Sequence, residues 1–371
     1  MHHNSSSYER YERQILLKEF GRTGQQKLEQ ARVLVVGAGG LGCAALQYLA
    51  AAGIGCIGII DQDTVALHNL HRQVLYGMED IGHFKATRAA MALRRLNPAI
   101  TIEVFNERLT VKNALALLRA YDLIIDGTDN FSTRYLVNDA CVLLNKPLVY
   151  GAVSRFEGQV AVFNYSGDGQ PAANYRDLFP QPPAAGEIAN CAEAGVLGVL
   201  PGIMGALQAS ETIKLLTGMG KSLANRLITF NALDNQLYEL QLTAQKNTRN
   251  LIPSDAAAFE QMDYDGLCGI MPDPLEIGQQ EFDALRTKDN LLIIDVREYD
   301  ELPAVPEFDH IHIPLAGIED KFPTTEADTI IVFCQSGARS LQAARLLSGK
   351  FGTARKIRSL AGGILSWKQQ H

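Results

Sequence analysis

The chain has no surplus of positive charge: 34 Lys and Arg face 41 Asp and Glu, for a net charge of −7. That excludes a broad electrostatic footprint for nucleic acid or for an anionic membrane. It has no long apolar run either. The opening MHHNSSSYERYERQ lacks the apolar core of a signal peptide. The longest apolar stretch, residues 191–216, is broken by Glu193, Pro201, Gln208 and Glu211, which argues against a membrane span. Cysteines are few, at 43, 56, 141, 191, 268 and 334, and follow no disulfide-like rhythm, so a reducing cytoplasm is the expected setting. Repeats and low-complexity tracts are missing. What remains is a 371-residue chain, 47% hydrophobic and 20% charged, the composition of a globular protein with two domains or three.

Strand-like and helix-like patterns alternate along the first part. Residues 32–36, a β-branched run ending at Gly37, read as a buried strand, followed by an Ala/Leu-rich helix over 41–52. Further strands fall at 56–60, 101–106 and 123–126, with helices at 85–96 and 111–120. Strand alternating with helix predicts a parallel, doubly wound sheet. After Pro147 the pattern turns to paired or mixed strands at 148–153 and 158–165. Residues 166–190 then run without periodicity, a length of loop that tends to be functional. A buried helix over 198–217 and strands at 227–231 and 236–242 close this unit, and residues 244–273 are polar and aperiodic, reading as a linker. From 274 to 371 a second α/β pattern follows: a helix at 279–287, strands at 291–295 and 330–333, a helix at 340–348 and a last strand at 356–359. The fold class is therefore α/β. A Rossmann-like doubly wound mixed sheet occupies 1–243, and a smaller α/β domain, long enough to fold independently, occupies 274–371.

Gly37-Ala-Gly39-Gly40-Leu-Gly42 ends the first strand and opens a helix, where glycines let backbone N–H groups approach a phosphate. Asp61 ends the second strand, placed to accept hydrogen bonds from ribose hydroxyls. Alone, this is the dinucleotide fingerprint of an NAD(P) oxidoreductase. The residues beyond it point elsewhere. Asn69-Leu-His-Arg72-Gln73 and Lys85 put two fixed cations and two amides past the ribose carboxylate, and Asp129-Asn130 lie at the carboxyl edge of the sheet. A nicotinamide needs no such set. A triphosphate does: cations neutralise charge developing at phosphorus, and a carboxylate can hold Mg²⁺. Plainer roles are open too: Arg13 as an exposed helix charge, Asn69 and Gln73 as caps, Asp129 as the N-cap of a helix over 131–144. Lys85 at a helix start opposes the helix dipole unless an anion sits there.

Taken in order, Arg10-Tyr-Glu-Arg13-Gln, GAGGLG, Asp61-Gln-Asp63, HNLHRQ, Lys85, GTDN and Cys191-Ala-Glu-Ala-Gly-Val-Leu-Gly resemble the ThiF/MoeB/HesA-type adenylyltransferases, which activate ubiquitin-like sulfur-carrier proteins. The resemblance spans residues 8–242. It implies that Gly40, Asp61, Asp63, Asn69, Arg72, Gln73, Lys85, Asp129 and Asn130 line ATP around the Gly37, Gly39 and Gly42 turn. It further implies that Asp129 positions Mg²⁺ and that, in a homodimer, Arg13 reaches the neighbouring subunit's nucleotide. The implied reaction is attack of a carrier's C-terminal Gly-Gly carboxylate on the α-phosphorus of ATP, with loss of pyrophosphate and formation of an acyl-adenylate. Arg72, Lys85 and Arg13 would stabilise the leaving charge, so catalysis would be largely positioning and electrostatics. The loop 166–190 would cover the carrier's extended tail.

Cys191 stands where relatives carry a crossover-loop cysteine. A covalent link to the carrier and simple burial at the head of an apolar helix are both open. Many relatives hold a structural zinc with two Cys-x-x-Cys pairs. Here the first pair falls at Asn174-Tyr-Arg-Asp177 and the second near residues 245–250, with no cysteine in either. Asn and Asp are poor substitutes for soft thiolates, so no structural zinc is expected.

Cys334-Gln-Ser-Gly-Ala-Arg339-Ser340 follows a strand and opens a helix. Inward-pointing loop N–H groups and the helix dipole favour a thiolate nucleophile. Arg339 can bind an anionic substrate, and a plain buried cysteine at a strand end is the alternative. With Asp295-Val-Arg297-Glu298 upstream and Leu360-Ala-Gly-Gly-Ile-Leu-Ser-Trp367 downstream, the loop resembles a rhodanese sulfurtransferase domain over 274–371. Four residues separate Cys334 from Arg339, as in rhodaneses, whereas related tyrosine-type phosphatases have five, so sulfur transfer is favoured. Asp309-His-Ile-His-Ile-Pro314 lacks the glycine many rhodaneses place before His-Ile-Pro, which predicts local irregularity between 295 and 314.

Together the resemblances imply adenylation of a sulfur carrier and delivery of persulfide sulfur from Cys334, giving a thiocarboxylate for molybdopterin, thiamine or tRNA thiolation. A cysteine desulfurase is one donor they would suit. Two rivals stay open on sequence: an NAD(P)-dependent oxidoreductase, which leaves Arg72 and Lys85 unexplained, and a non-catalytic module that docks a ubiquitin-like protein.

Overall fold

The structure, a computed structural model, describes residues 5–167, 169–183, 195–269 and 273–368. Two compact units divide the chain, Met1–Ile270 and Met271–His371. In the first, parallel strands β1 (Arg32–Val36), β2 (Cys56–Ile60), β3 (Thr101–Phe105), β4 (Leu123–Asp126) and β5 (Leu148–Ser154) are extended by antiparallel β6 (Glu157–Phe163), β7 (Arg226–Asn231) and β8 (Gln236–Gln241). Their order is β3-β2-β1-β4-β5-β6-β7-β8. Both faces of β1 are covered: Val33 and Val35 enter one core, Leu34 and Val36 the other. A strand buried on both faces reads as a continuous apolar run, and this one does. The mixed, doubly wound sheet is as expected.

Its helices are α1 (Ser5–Ile15), α2 (Gly21–Gln30), α3 (Gly40–Ala52), α4 (Lys85–Leu96), α5 (Ala114–Arg119), α6 (Phe131–Leu144), α7 (Tyr175–Leu178) and α8 (Val199–Thr217). Helix α7 falls inside the stretch read as an aperiodic loop. Its Arg176 is buried and grips Asp139 of α6 with two hydrogen bonds, at 2.8 and 2.7 Å. At the next position, Asp177 accepts the Asn174 backbone and side-chain N–H groups at 2.8 Å each. Its other oxygen accepts the Gln245 N–H at 3.0 Å and the Thr248 hydroxyl. The two places where relatives carry zinc-binding pairs therefore do meet, joined by hydrogen bonds. Among the described residues no group of three or more His, Cys, Asp or Glu side chains is suited to a metal ion.

Residues 244–269, read as most of a linker, are folded onto the first unit. Asp255 caps α9 (Ala256–Glu260) and Asp263 caps α10 (Tyr264–Leu267), each accepting a backbone N–H. One side chain per helix turns inward, Phe259 and Tyr264, and both enter the core beside α6. A single inward residue per short helix leaves no periodicity to read. No helix among the described residues is long and apolar enough to cross a membrane.

The second unit is an all-parallel sheet in the order β11-β10-β12-β13-β9, formed by β9 (Glu276–Ile277), β10 (Leu291–Asp295), β11 (Ile311–His312), β12 (Thr329–Phe333) and β13 (Lys356–Leu360). Helices α11 (Gln279–Leu285), α12 (Ala338–Phe351) and α13 (Gly363–Lys368) accompany it. Trp367 packs edge-on against Phe282 and Phe308. Strands β9 and β11, two residues each, are too short to leave a pattern in sequence.

Candidate active sites

At the carboxyl ends of β1 to β4, where the strand order reverses, lies a cavity of about 310 Å³. Ligands of open α/β sheets bind at such a point. Gly37 leaves β1 with φ +92°, a left-handed conformation suited to glycine. Gly42 sits behind the turn: a Cβ there would lie 2.0 Å from the Gly37 carbonyl oxygen. It permits close strand–helix packing and does not line the cavity.

Asp61 ties this turn to the strand beside it, accepting the Ala38 N–H at 2.7 Å and the Asp63 N–H at 2.8 Å. Burial drives the Asp61 carboxyl up to about 6, against the pull of Lys85 and with the help of Asp63. Lys85, at the first position of α4, is buried and donates from Nζ to Asp63 at 2.9 Å. Burial alone would lower its pKa, but Asp61, Asp63 and Asp129 outweigh that and raise it. The ammonium is thus held charged inside a ring of carboxylates. Arg72 lines the same cavity, its NH1 donating to the His68 carbonyl at 3.0 Å. Gln73 is buried beside it, with an Oε1 that has no hydrogen-bond partner. A buried acceptor left without a donor is a costly arrangement.

Of the residues singled out in sequence, Gly37, Gly39, Gly40, Asp61, Asp63, Arg72, Gln73, Lys85, Asp129 and Asn130 line this cavity. Others do not. Asn69 is buried away from it and accepts the Ala66 N–H at 3.1 Å, closing a turn. Arg13 is exposed on α1 and is not among the lining residues. Cys191 lies outside the described residues, as do residues 184–190 of the loop assigned to the carrier's tail. The cap of α6 is Asn130, which accepts the Thr133 N–H at 2.9 Å, so Asp129 is not spent on capping. Sequence reading missed Thr128, Ser132, Arg108 and Asp265, which also line the cavity. Arg108 was within reach, since it follows β3 at the same sheet edge. Asp265 was not, because nothing local ties it to a strand end.

In the second unit Cys334 follows β12 directly and is fully buried, its Sγ accepting the Gly337 N–H at 3.2 Å. Gly337 takes φ +98° and caps α12, so the loop turns the Gly337 amide back toward the sulfur. Ser340 donates to the Gly337 carbonyl and accepts from the Ser359 hydroxyl, both at 2.9 Å, bracing the turn from behind. Arg339, expected to meet an anionic substrate, is engaged by Glu301 instead. Arg297 pairs with Asp295 inside the fold, a structural contact. Between 295 and 314 the chain is held by His312, whose Nε2 lies 2.8 Å from the Arg297 carbonyl.

Residues 11–251 match the ThiF family, and residues 278–370 match the rhodanese-like domain. The sulfur carrier protein adenylyltransferase of Thermus thermophilus is 49% identical over 71% of this chain and 97% of its own length. Proteins named adenylyltransferase and sulfurtransferase MOCS3, from Anopheles gambiae and Xenopus laevis, are 40% and 37% identical. They cover 98% and 97% of this chain and 87% and 86% of their own. A solved structure of E. coli MccB with ATP is similar in fold, with a TM-score of 0.56 at 22% identity over 66% of this chain and 73% of that one. Matched by the family model over most of its length and by full-length relatives over nearly all of it, the chain belongs to the ThiF family, in the form that carries a rhodanese-like domain, and is an adenylyltransferase and sulfurtransferase.

Proposed function

We propose that the cavity in the first unit binds ATP and activates the C-terminal Gly-Gly carboxylate of a ubiquitin-like sulfur-carrier protein as its adenylate. The observation that carries this reading is Lys85, buried yet kept charged among Asp61, Asp63 and Asp129 beside a glycine turn. A buried cation with no ligand role would be better replaced by an apolar residue. Lys85 and Arg72 would neutralise charge on the departing pyrophosphate, and Asp61 would meet the ribose. Three carboxylates against one ammonium leave an excess of negative charge, which suits a divalent cation travelling with the triphosphate. Asp129, exposed and lining the cavity, would hold Mg²⁺, which binds through one or two carboxylates plus phosphate oxygens. When bound it would screen the phosphates.

In the second unit Cys334 would take sulfur as a persulfide, whose outer sulfur would attack the acyl-adenylate with loss of AMP. A second thiol, as reductant, would then cleave the resulting acyl disulfide, leaving a thiocarboxylate for molybdopterin, thiamine or tRNA thiolation. A protein persulfide such as that of a cysteine desulfurase suits it as donor. A homodimer, in which Arg13 reaches the partner's nucleotide, and a covalent role for Cys191 belong to the same reading. So does a reducing cytoplasm, which fits the five described cysteines, all unpaired. Structural zinc has no place in it, because Asp177 fills the corresponding position with hydrogen bonds.

Carrier-dependent ATP–pyrophosphate exchange tests the whole. Wild type should exchange and Lys85→Ala should lose at least about a hundredfold, the scale of removing one transition-state donor. Cys334→Ala should keep exchange and lose thiocarboxylate. Exchange that survived Lys85→Ala would refute the assignment of the cavity.

A further inference from the structure

The helical turn α10 lies beyond the part of the chain that matches the ThiF family, which ends at residue 251, yet it reaches the cavity. It is anchored rather than draped. Tyr264 is buried and donates from its hydroxyl to Asp139 at 2.8 Å, the same carboxylate that Arg176 grips. Asp263 caps the turn by accepting the Gly266 N–H at 2.8 Å. Next after Tyr264, Asp265 meets Arg108 in a two-pronged pair, both oxygens 2.8 Å from NH2.

The order of the strands says which end of the nucleotide this pair faces. Phosphates belong at the glycine turn after β1, against the N-terminus of α3. The ribose belongs at Asp61, after β2. Continuing across the sheet in the same direction leads to the end of β3, and there the cavity is lined by Glu107, Arg108 and Leu109, with Asp265 paired to Arg108. That is where a base would lie. Arg108 and Asp265 also line a neighbouring cavity of about 150 Å³, together with Thr110, Met262 and Tyr264. The ion pair stands at the boundary of the two.

We infer that the Arg108–Asp265 pair is the outer wall of the base subsite, with Asp265 a positioning residue that holds the Arg108 guanidinium against the base. This rests on the cavity being the ATP site. Without Asp265, Arg108 swings into the neighbouring space and the base end widens.

The full-length chain is titrated calorimetrically with ATP and with GTP, as wild type, Asp265→Asn, the Arg108→Asp/Asp265→Arg swap, and Lys85→Ala. Asp265→Asn should weaken ATP about fivefold, the upper range for a half-exposed pair, and should narrow the preference for ATP over GTP. The swap should recover part of both, which a loss of fold would not. Lys85→Ala should weaken the two nucleotides equally. If Asp265→Asn binds ATP and GTP as wild type does while Lys85→Ala fails, the wall is refuted and the nucleotide site stands. If Lys85→Ala binds ATP normally, the site itself is misassigned.

Discussion

Arg339 and Glu301 face each other in a forked ion pair, NH1 to Oε1 at 2.5 Å and NH2 to Oε2 at 2.7 Å. The one cation in the Cys334 loop thus already has a carboxylate, and the Leu302 carbonyl holds Gln335 of the same loop at 3.3 Å. Burial works to raise the Glu301 carboxyl, but Arg339 overcomes it and holds the group below the usual glutamate range. Because the folded value is depressed, the contribution of the pair is complete above the ordinary glutamate pKa and is lost as pH falls through the lower, folded one. At neutral pH the latch is closed.

Glu301→Gln should therefore make the loop more receptive to small anionic sulfur donors. Charge-assisted contacts are about twice as strong as neutral ones, so the KM for thiosulfate should fall about tenfold when Arg339 is released. Thiocyanate formed from thiosulfate and cyanide measures this directly, with Cys334→Ala as the inactive control. An unchanged KM would mean that Glu301 does not compete with the donor.

Asp61 gives the first unit a sensitivity to acid. Its carboxyl is raised to about 6, so below that pH it takes a proton and one of its two oxygens stops accepting, releasing the Ala38 or the Asp63 N–H. ATP affinity should decline as pH falls through about 6, by roughly tenfold per pH unit once the group is protonated. The fold should survive the same range: for a carboxyl raised on folding, the charged form is the penalised one, so protonating it does not destabilise the native state. Titrations at pH 7.5 and about 5 should show the loss with circular dichroism unchanged, and Asp61→Asn should flatten the profile. Parallel profiles for the two proteins would assign the effect to another group.

Asp177 joins two distant segments by hydrogen bonding. Removing its carboxylate strands the backbone N–H groups of Asn174 and Gln245. Asp177→Ala should cost about 2 kcal/mol, in line with unsatisfied polar groups, and lower the melting midpoint by about 5 °C. A chelator should leave the wild-type midpoint where it is. Stoichiometric zinc in the purified protein, or a midpoint that fell on chelation, would overturn this account.

Much of this was legible in advance because it is local. The glycine turn and Asp129-Asn130 after β4 are each set by a strand running straight into a helix, and periodicity locates both. The Cys334 loop is the same device used again. Lys85, further from its strand, is marked by opening α4. Legibility failed where a residue's role depends on a distant one. Asn69 has the composition of a ligand, yet it serves a turn three residues long. Arg339 has the composition of a substrate anchor, yet its neighbour in space is Glu301.

By itself the sequence determined two α/β units, their chemistry-bearing loops and the order of motifs that marks the family, since each follows from short runs of side chains choosing strand, turn or helix. Tertiary structure alone decided that Asp177 meets Gln245 and Thr248, that Asp265 meets Arg108 across 157 positions, and that residues 244–269 belong to the first unit. Those contacts join polar side chains far apart along the chain. A hydrogen bond has no period along a sequence, and only the closing of the core brings its two halves within reach.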